Sequence, residues 1–231
     1  MFKNKQIIKR TLGQIALIGA IGLSTSAFAD SISMDVFAIP SKPITELVKH
    51  TSDALKKEGI TTFYEKGMPV HATLYLTNFP EDAKSAIEKA VKQIATQYRP
   101  FPIKANGLTV TKGNWAFINL DDSSKLQRLA DEVTLAIEPL RDKHAPLPGW
   151  VKNYPNKLAA FQRYGSPNVF QNFQPHLTLL ANEKSPKLAN FNMKMKKHPP
   201  EAQGEIVGIG IGIADEWGQQ KEIIARYYFK K

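Results

Sequence analysis

His71-Ala72-Thr73-Leu74 and His176-Leu177-Thr178-Leu179 place an imidazole and a hydroxyl two residues apart at two sites in one chain. Each tetrapeptide lies in a run that alternates between polar and apolar residues. This is the pattern of a strand whose side chains switch faces at every step. In the first run His71, Thr73, Tyr75 and Thr77 are predicted on one face, with Val70, Ala72, Leu74 and Leu76 behind them. His and Thr then stand about 7 Å apart along each strand. Five His and 13 Thr in 231 residues give about 0.3 His-x-Thr pairs by chance, so two in strand context exceed coincidence.

Two facing imidazoles suit a reaction that removes one proton and supplies another. Near neutrality one ring can be neutral and the other charged. In hydrolysis of a cyclic phosphodiester, the neutral ring takes a proton from water and the imidazolium protonates the departing oxygen. Hydroxyls on the same faces can donate to the non-bridging phosphate oxygens. No metal or organic cofactor is needed. Neither strand offers a second His or a carboxylate two residues on, and the chain has no Cys, so a metal site fits poorly. An acyl-transfer elbow, G-x-S-x-G, is also missing.

The elements that must position these residues follow from periodicity and punctuation. Residues 32–39 read as a strand, and Ser41 can cap a helix carrying Ile44, Leu47, Val48 and Leu55 that ends at Gly59. The first His strand spans roughly 69–77, and a helix with Ile87, Val91, Ile94 and Tyr98 follows Pro80. Strands at 103–111 and 115–120 flank a turn. Asp121-Asp122 can cap a helix bearing Leu126, Leu129, Val133, Ile137 and Leu140. After an irregular stretch come the second His strand, a helix over 186–197, and strands at 205–214 and 221–229. Strand, helix, His strand, helix, strand thus occurs twice. The expectation is an α+β fold: a bilobal, duplicated β-α-β-α-β architecture with two antiparallel-rich sheets flanking a central cleft. The lobes would be roughly 30–112 and 113–231, with the His strands central.

Residues 144–173 are the expected source of substrate contacts. Trp150, Tyr154, Phe161, Tyr164, Phe170 and Phe173 alternate there with Lys152, Lys157 and Arg163, and stacking rings beside cations suit a nucleotide. Trp150, Arg163, Tyr164 and Phe173 are candidate contacts, as is Tyr75 from the His71 face. Arg226 and Tyr228 share a face of the last strand and could border the cleft. Gly208, Gly210 and Gly212 alternate in another strand, either leaving room for substrate or allowing close packing.

The N-terminus reads as a secretory signal peptide over 1–29. Lys3, Lys5, Lys9 and Arg10 precede an apolar run, and Ala27-Phe28-Ala29 supplies a cleavage signal before Asp30. The mature protein is expected in the periplasm or outside the cell, with no membrane anchor. The whole chain carries +10, and losing the four basic leader residues leaves +6, a weak preference for anionic ligands. The absence of Cys excludes disulfides and a thiol nucleophile.

The paired H-x-T-x motifs, their separation, Phe173-Gln174-Pro175 before the second motif and the doubled pattern resemble the two-histidine (2H) phosphoesterase superfamily, including 2'-5' RNA ligase-like proteins. That resemblance implies His71 and His176 as the catalytic pair, with Thr73 and Thr178 holding the phosphate. It implies 2',3'-cyclic phosphates on RNA ends or nucleotides as substrates, no cofactor and no metal. A monomer without a stable nucleic-acid complex is expected. A non-catalytic nucleotide- or phosphate-binding protein on the same fold is the alternative.

Overall fold

The computed structural model describes residues 31–230, so the expected leader lies outside the described residues. Seven strands and five α-helices follow one another as β1 (Ser31–Pro40), α1 (Lys42–Lys57), β2 (Ala72–Pro80), α2 (Lys84–Ala95), β3 (Phe101–Val110), β4 (Ala116–Leu120), α3 (Ser124–Ile137), α4 (Pro155–Tyr164), β5 (His176–Leu180), α5 (Lys187–Lys197), β6 (Glu201–Ala214) and β7 (Gln220–Tyr228).

The helices bury most of the stripes that their periodicity predicts; Leu47 is half-buried, and Tyr98 and Leu140 lie past the ends of α2 and α3. Ile44, Val48 and Leu55 are buried in α1, Ile87, Val91 and Ile94 in α2, and Leu126, Leu129, Val133 and Ile137 in α3. Two caps differ from expectation. Ser41 accepts the Glu205 N–H at 2.9 Å instead of capping α1, because β6 passes beside it. Ser123, rather than Asp121 or Asp122, caps α3 by accepting the Leu126 N–H at 3.3 Å.

Every strand pair is antiparallel. The strands form one seven-stranded sheet in the order β2-β1-β6-β3-β4-β5, with β7 also on β6. The two expected sheets are therefore continuous. At 14 residues, β6 is long enough to pair with β3 through its first half and with β1 and β7 through its second. The expected boundary near residue 112 falls inside the β3–β4 hairpin. Helices cross over as well: α1 packs on β5 and β6, and α3 packs on β2.

The His strands are the two ends of the strand order rather than its centre. They still touch, because the twist of a sheet this wide curls its ends toward each other. The segment between α1 and β2 bridges them, the Phe63 N–H donating to the Leu179 carbonyl at 2.8 Å.

Candidate active site

His71 immediately precedes β2 and His176 opens β5. Each ring is tied down in the same way: Nδ1 lies 3.0 Å from the Pro69 carbonyl in one, and 2.7 Å from the Gln174 carbonyl in the other. A carbonyl only accepts, so each Nδ1 carries its hydrogen and each Nε2 is left to gain or lose a proton. The repeat therefore extends to the fixing contact two residues upstream. Phe37 and His71 meet edge-to-face at 5.4 Å, and Phe117 packs on His176 at 4.4 Å.

Burial lowers the pKa of both imidazoles. For His71, a positive charge on His176 lowers it further, whereas the Pro69 and Gly218 carbonyls and Asp215 act in the opposite sense. The His176 charge is thus felt at His71. For His176 the Gln174 carbonyl opposes burial, while the nearby Lys157 charge adds to the lowering. His71 has carboxylates as neighbours and His176 has an ammonium.

Asp35 of β1, fully buried, is the site residue that sequence reasoning missed. Its Oδ2 accepts from Thr73 Oγ1 at 3.0 Å and from Gln220 Nε2 at 2.6 Å, and lies 3.6 Å from His71 Nε2. The last distance is too long for a hydrogen bond but short for an electrostatic contact. Burial pushes the Asp35 carboxyl up to about 7, against the lowering effect of its two donors. Asp35 Oδ1 and Gln220 Oε1 are buried without a donor among the described residues. The detectable signal was a carboxylate between Met34 and Val36 in an otherwise apolar strand.

The glycine row makes this cluster possible. Gly212 pairs with Asp35, and a β-carbon there would overlap the Gln220 amide that crosses β6 to reach Asp35. Gly210 pairs with Phe37, whose ring occupies the space a β-carbon would need. Close packing explains these two glycines.

Thr73 and Thr178 are not equivalent. The Thr73 hydroxyl hydrogen goes to Asp35, whereas Thr178 lines a crevice of about 10 Å³ with His71, Leu177 and Gln219. That crevice holds roughly one water.

Tyr75 is not on the His71 face. Val36 pairs with Tyr75 but Phe37 pairs with Thr73, so Leu74 is the extra residue of a β-bulge and the alternation reverses there. Tyr75 enters the core and donates to the Tyr164 carbonyl at 2.5 Å, and Thr77 donates to the Gly165 carbonyl at 2.8 Å. Much of the 144–173 stretch is consequently anchored behind β2. Tyr164 packs on Phe170 at 4.8 Å, Arg163 pairs with Glu138 at 3.5 Å, and Phe173 is buried in the core. These contacts tie Arg163, Tyr164 and Phe173 to the body of the fold; a long segment needs apolar anchors, and the rings serve that need. The Trp150 side chain lies outside the described residues. An aromatic ring against His176 is supplied by Phe117, which packs on Trp115 at 6.1 Å, with Trp217 against Trp115 at 5.8 Å.

Among the described residues no group of three His, Asp or Glu side chains is placed to hold a metal, and no helix is long and apolar enough to cross a membrane.

Residues 40–215 match the 2'-5' RNA ligase superfamily. No curated protein matches the chain. Among solved structures, TT0787 of Thermus thermophilus superposes with a TM-score of 0.55 at 13% identity, covering 86% of this chain and 98% of that one. E. coli LigT complexed with ATP gives 0.49 at 11% identity, covering 87% and 100%, and Kluyveromyces marxianus Usb1 gives 0.41 at 11%, covering 86% and 97%. The likeness to TT0787 shows a shared fold.

Proposed function

The chain belongs to the 2'-5' RNA ligase superfamily, and on that premise we propose that it is an exported, metal-independent phosphodiesterase that opens a 2',3'-cyclic phosphate on a nucleotide or RNA end. The observation that carries the reading is the matched pair of imidazoles. Both are oriented through Nδ1 by a carbonyl two residues upstream, and the His176 charge reaches His71.

Their surroundings divide the roles. Asp35 and Asp215 near His71 favour a proton there, and Lys157 near His176 disfavours one. His176 is then the base that takes a proton from the attacking water. His71 is the acid that protonates the departing ribose oxygen, its imidazolium favoured when Asp35, 3.6 Å away, is ionised. Thr178 donates to a non-bridging phosphate oxygen; Thr73 does so once its hydroxyl turns from Asp35.

The alternative is a nucleotide- or phosphate-binding protein without turnover. The two are separated by incubating the protein with 2',3'-cyclic nucleotides in the presence of a chelator. Hydrolysis that falls roughly 10²- to 10⁴-fold in each of His71→Ala and His176→Ala, with folding retained, supports the enzyme. Binding without turnover supports the second reading, and full activity in either mutant removes the two-histidine mechanism.

A further inference from the structure

A groove of about 530 Å³ runs alongside the His71 crevice, with which it shares Tyr64, Met68, Pro69 and Val70 as a common wall. Its floor is Phe37 and Ile39 of β1, and its far side is Arg226 and Tyr228 of β7. The strand register explains the layout. Thr73, Phe37, Gly210 and Arg226 form one row across β2, β1, β6 and β7, with Phe37 and Arg226 each paired to Gly210. Paired residues share a face, and neighbouring strands lie about 4.8 Å apart. Arg226 therefore stands roughly 14 Å across the sheet from Thr73, on the same side, with the Phe37 ring laid between them. Tyr228, paired to Gly208, begins the next row.

The far side of this groove is unusual for a protein surface. Tyr228 is 64% exposed, and Arg226 is exposed and makes no ion pair among the described residues. An open ring, an uncommitted guanidinium and a second aromatic, Tyr64, line a trough that shares a wall with the crevice of the first histidine. Stacking surfaces beside a cation hold single-stranded nucleic acid with little regard to sequence. Its volume lies within the range of small-ligand sites, enough for a nucleotide beyond the one that reacts.

From this continuity we infer that the groove is a second nucleotide subsite: it takes the nucleotide before the one that carries the reacting phosphodiester in an RNA strand, with a base on Tyr228 and a backbone phosphate on Arg226. The inference rests on the reading of the histidine crevice as the phosphodiester site. It makes an RNA 3' end, rather than a free mononucleotide, the preferred ligand. Cleft and groove together follow a strand from its end inward, over Phe37.

The test is a pair of equilibrium binding measurements that need no turnover. The probes are a single-stranded pentaribonucleotide ending in a 3'-phosphate, and 3'-AMP. The expected result is tighter binding of the pentamer by the full-length protein. Tyr228→Ala then weakens the pentamer about tenfold, Tyr228→Phe restores it, and 3'-AMP changes less than twofold. Arg226→Ala weakens the pentamer and also reduces the slope of log K against log salt by about 0.7, the signature of one lost contact to a single strand. Equal affinity for the two probes in the unaltered protein overturns the proposal. So does a loss shared equally by both probes in the variants, which would mean damage reaching the histidines. Turnover of cyclic mononucleotides is measured separately. Its absence alongside intact pentamer selectivity would remove the hydrolytic reading and leave the subsite standing.

Discussion

Replacing Asp35 by Asn isolates the buried charge beneath His71. The shape is nearly unchanged, and the Asn carbonyl still accepts from Thr73 and Gln220, which lie 3.0 and 2.6 Å from Asp35 Oδ2. What disappears is a group whose pKa rises on folding from 3.8 to about 7. Between these values the native state holds a proton that the unfolded chain has released, so stability falls as pH rises. Below 3.8 both states are protonated and there is no penalty; above about 7 the native carboxyl must ionise in its buried site and the penalty is complete. At 1.36 kcal/mol per pH unit, the full penalty is on the order of 4 kcal/mol. Urea unfolding of both proteins at pH 4 and pH 8 reads it directly. Asp35→Asn should be about as stable as the parent at pH 4 and more stable by several kcal/mol at pH 8. In activity it should lose roughly tenfold in kcat, along with any inflection near pH 7, because His71 no longer has a charge partner 3.6 Å away. A stability difference that is the same at both pH values would refute the reasoning, since it would mean that Asp35 does not change its protonation on folding.

Three other substitutions or measurements follow from the geometry. Tyr75→Phe removes a buried hydrogen bond to the Tyr164 carbonyl on the face away from the histidines. It should cost about 1–3 kcal/mol in urea unfolding and leave kcat/KM within twofold; a tenfold loss of activity would put Tyr75 back at the substrate. Thr178→Val should reduce kcat/KM more than Thr73→Val, because only Thr73 already donates to Asp35; the reverse order in steady-state kinetics would mean that Thr73 leaves Asp35 readily. Sequencing the N-terminus of the protein from a periplasmic fraction should begin at Asp30, and an intact Met1 would rule out cleavage at Ala29.

The elements were legible because they depend on local periodicity. Ile44, Val48 and Leu55 fall on one side of a helix whatever that helix packs against, and the alternation around His71 and His176 marks strands. Their partners were not legible, because pairing is decided at long range. Nothing local to 201–214 announces a strand that joins β3 to one half of itself and β1 and β7 to the other. The doubled order of elements therefore suggested two separate sheets where one is continuous.

At the site, the limit was a single residue. Strict alternation predicts Tyr75 beside His71, and one extra residue at Leu74 sends every later side chain of β2 to the other face. The same bulge explains why the aromatic stretch after residue 144 anchors behind β2: Tyr75 and Thr77, turned to that face, donate to the carbonyls of Tyr164 and Gly165. Asp35 was missed for the complementary reason. A lone acidic residue in an apolar strand is read as an outward-facing one, and only the paired Gly212 opens the route by which Gln220 reaches and holds it. The glycine row and the buried carboxylate are one feature seen from two strands. The chemistry of the first histidine is thus set partly by a residue, Gly212, that has no side chain to offer.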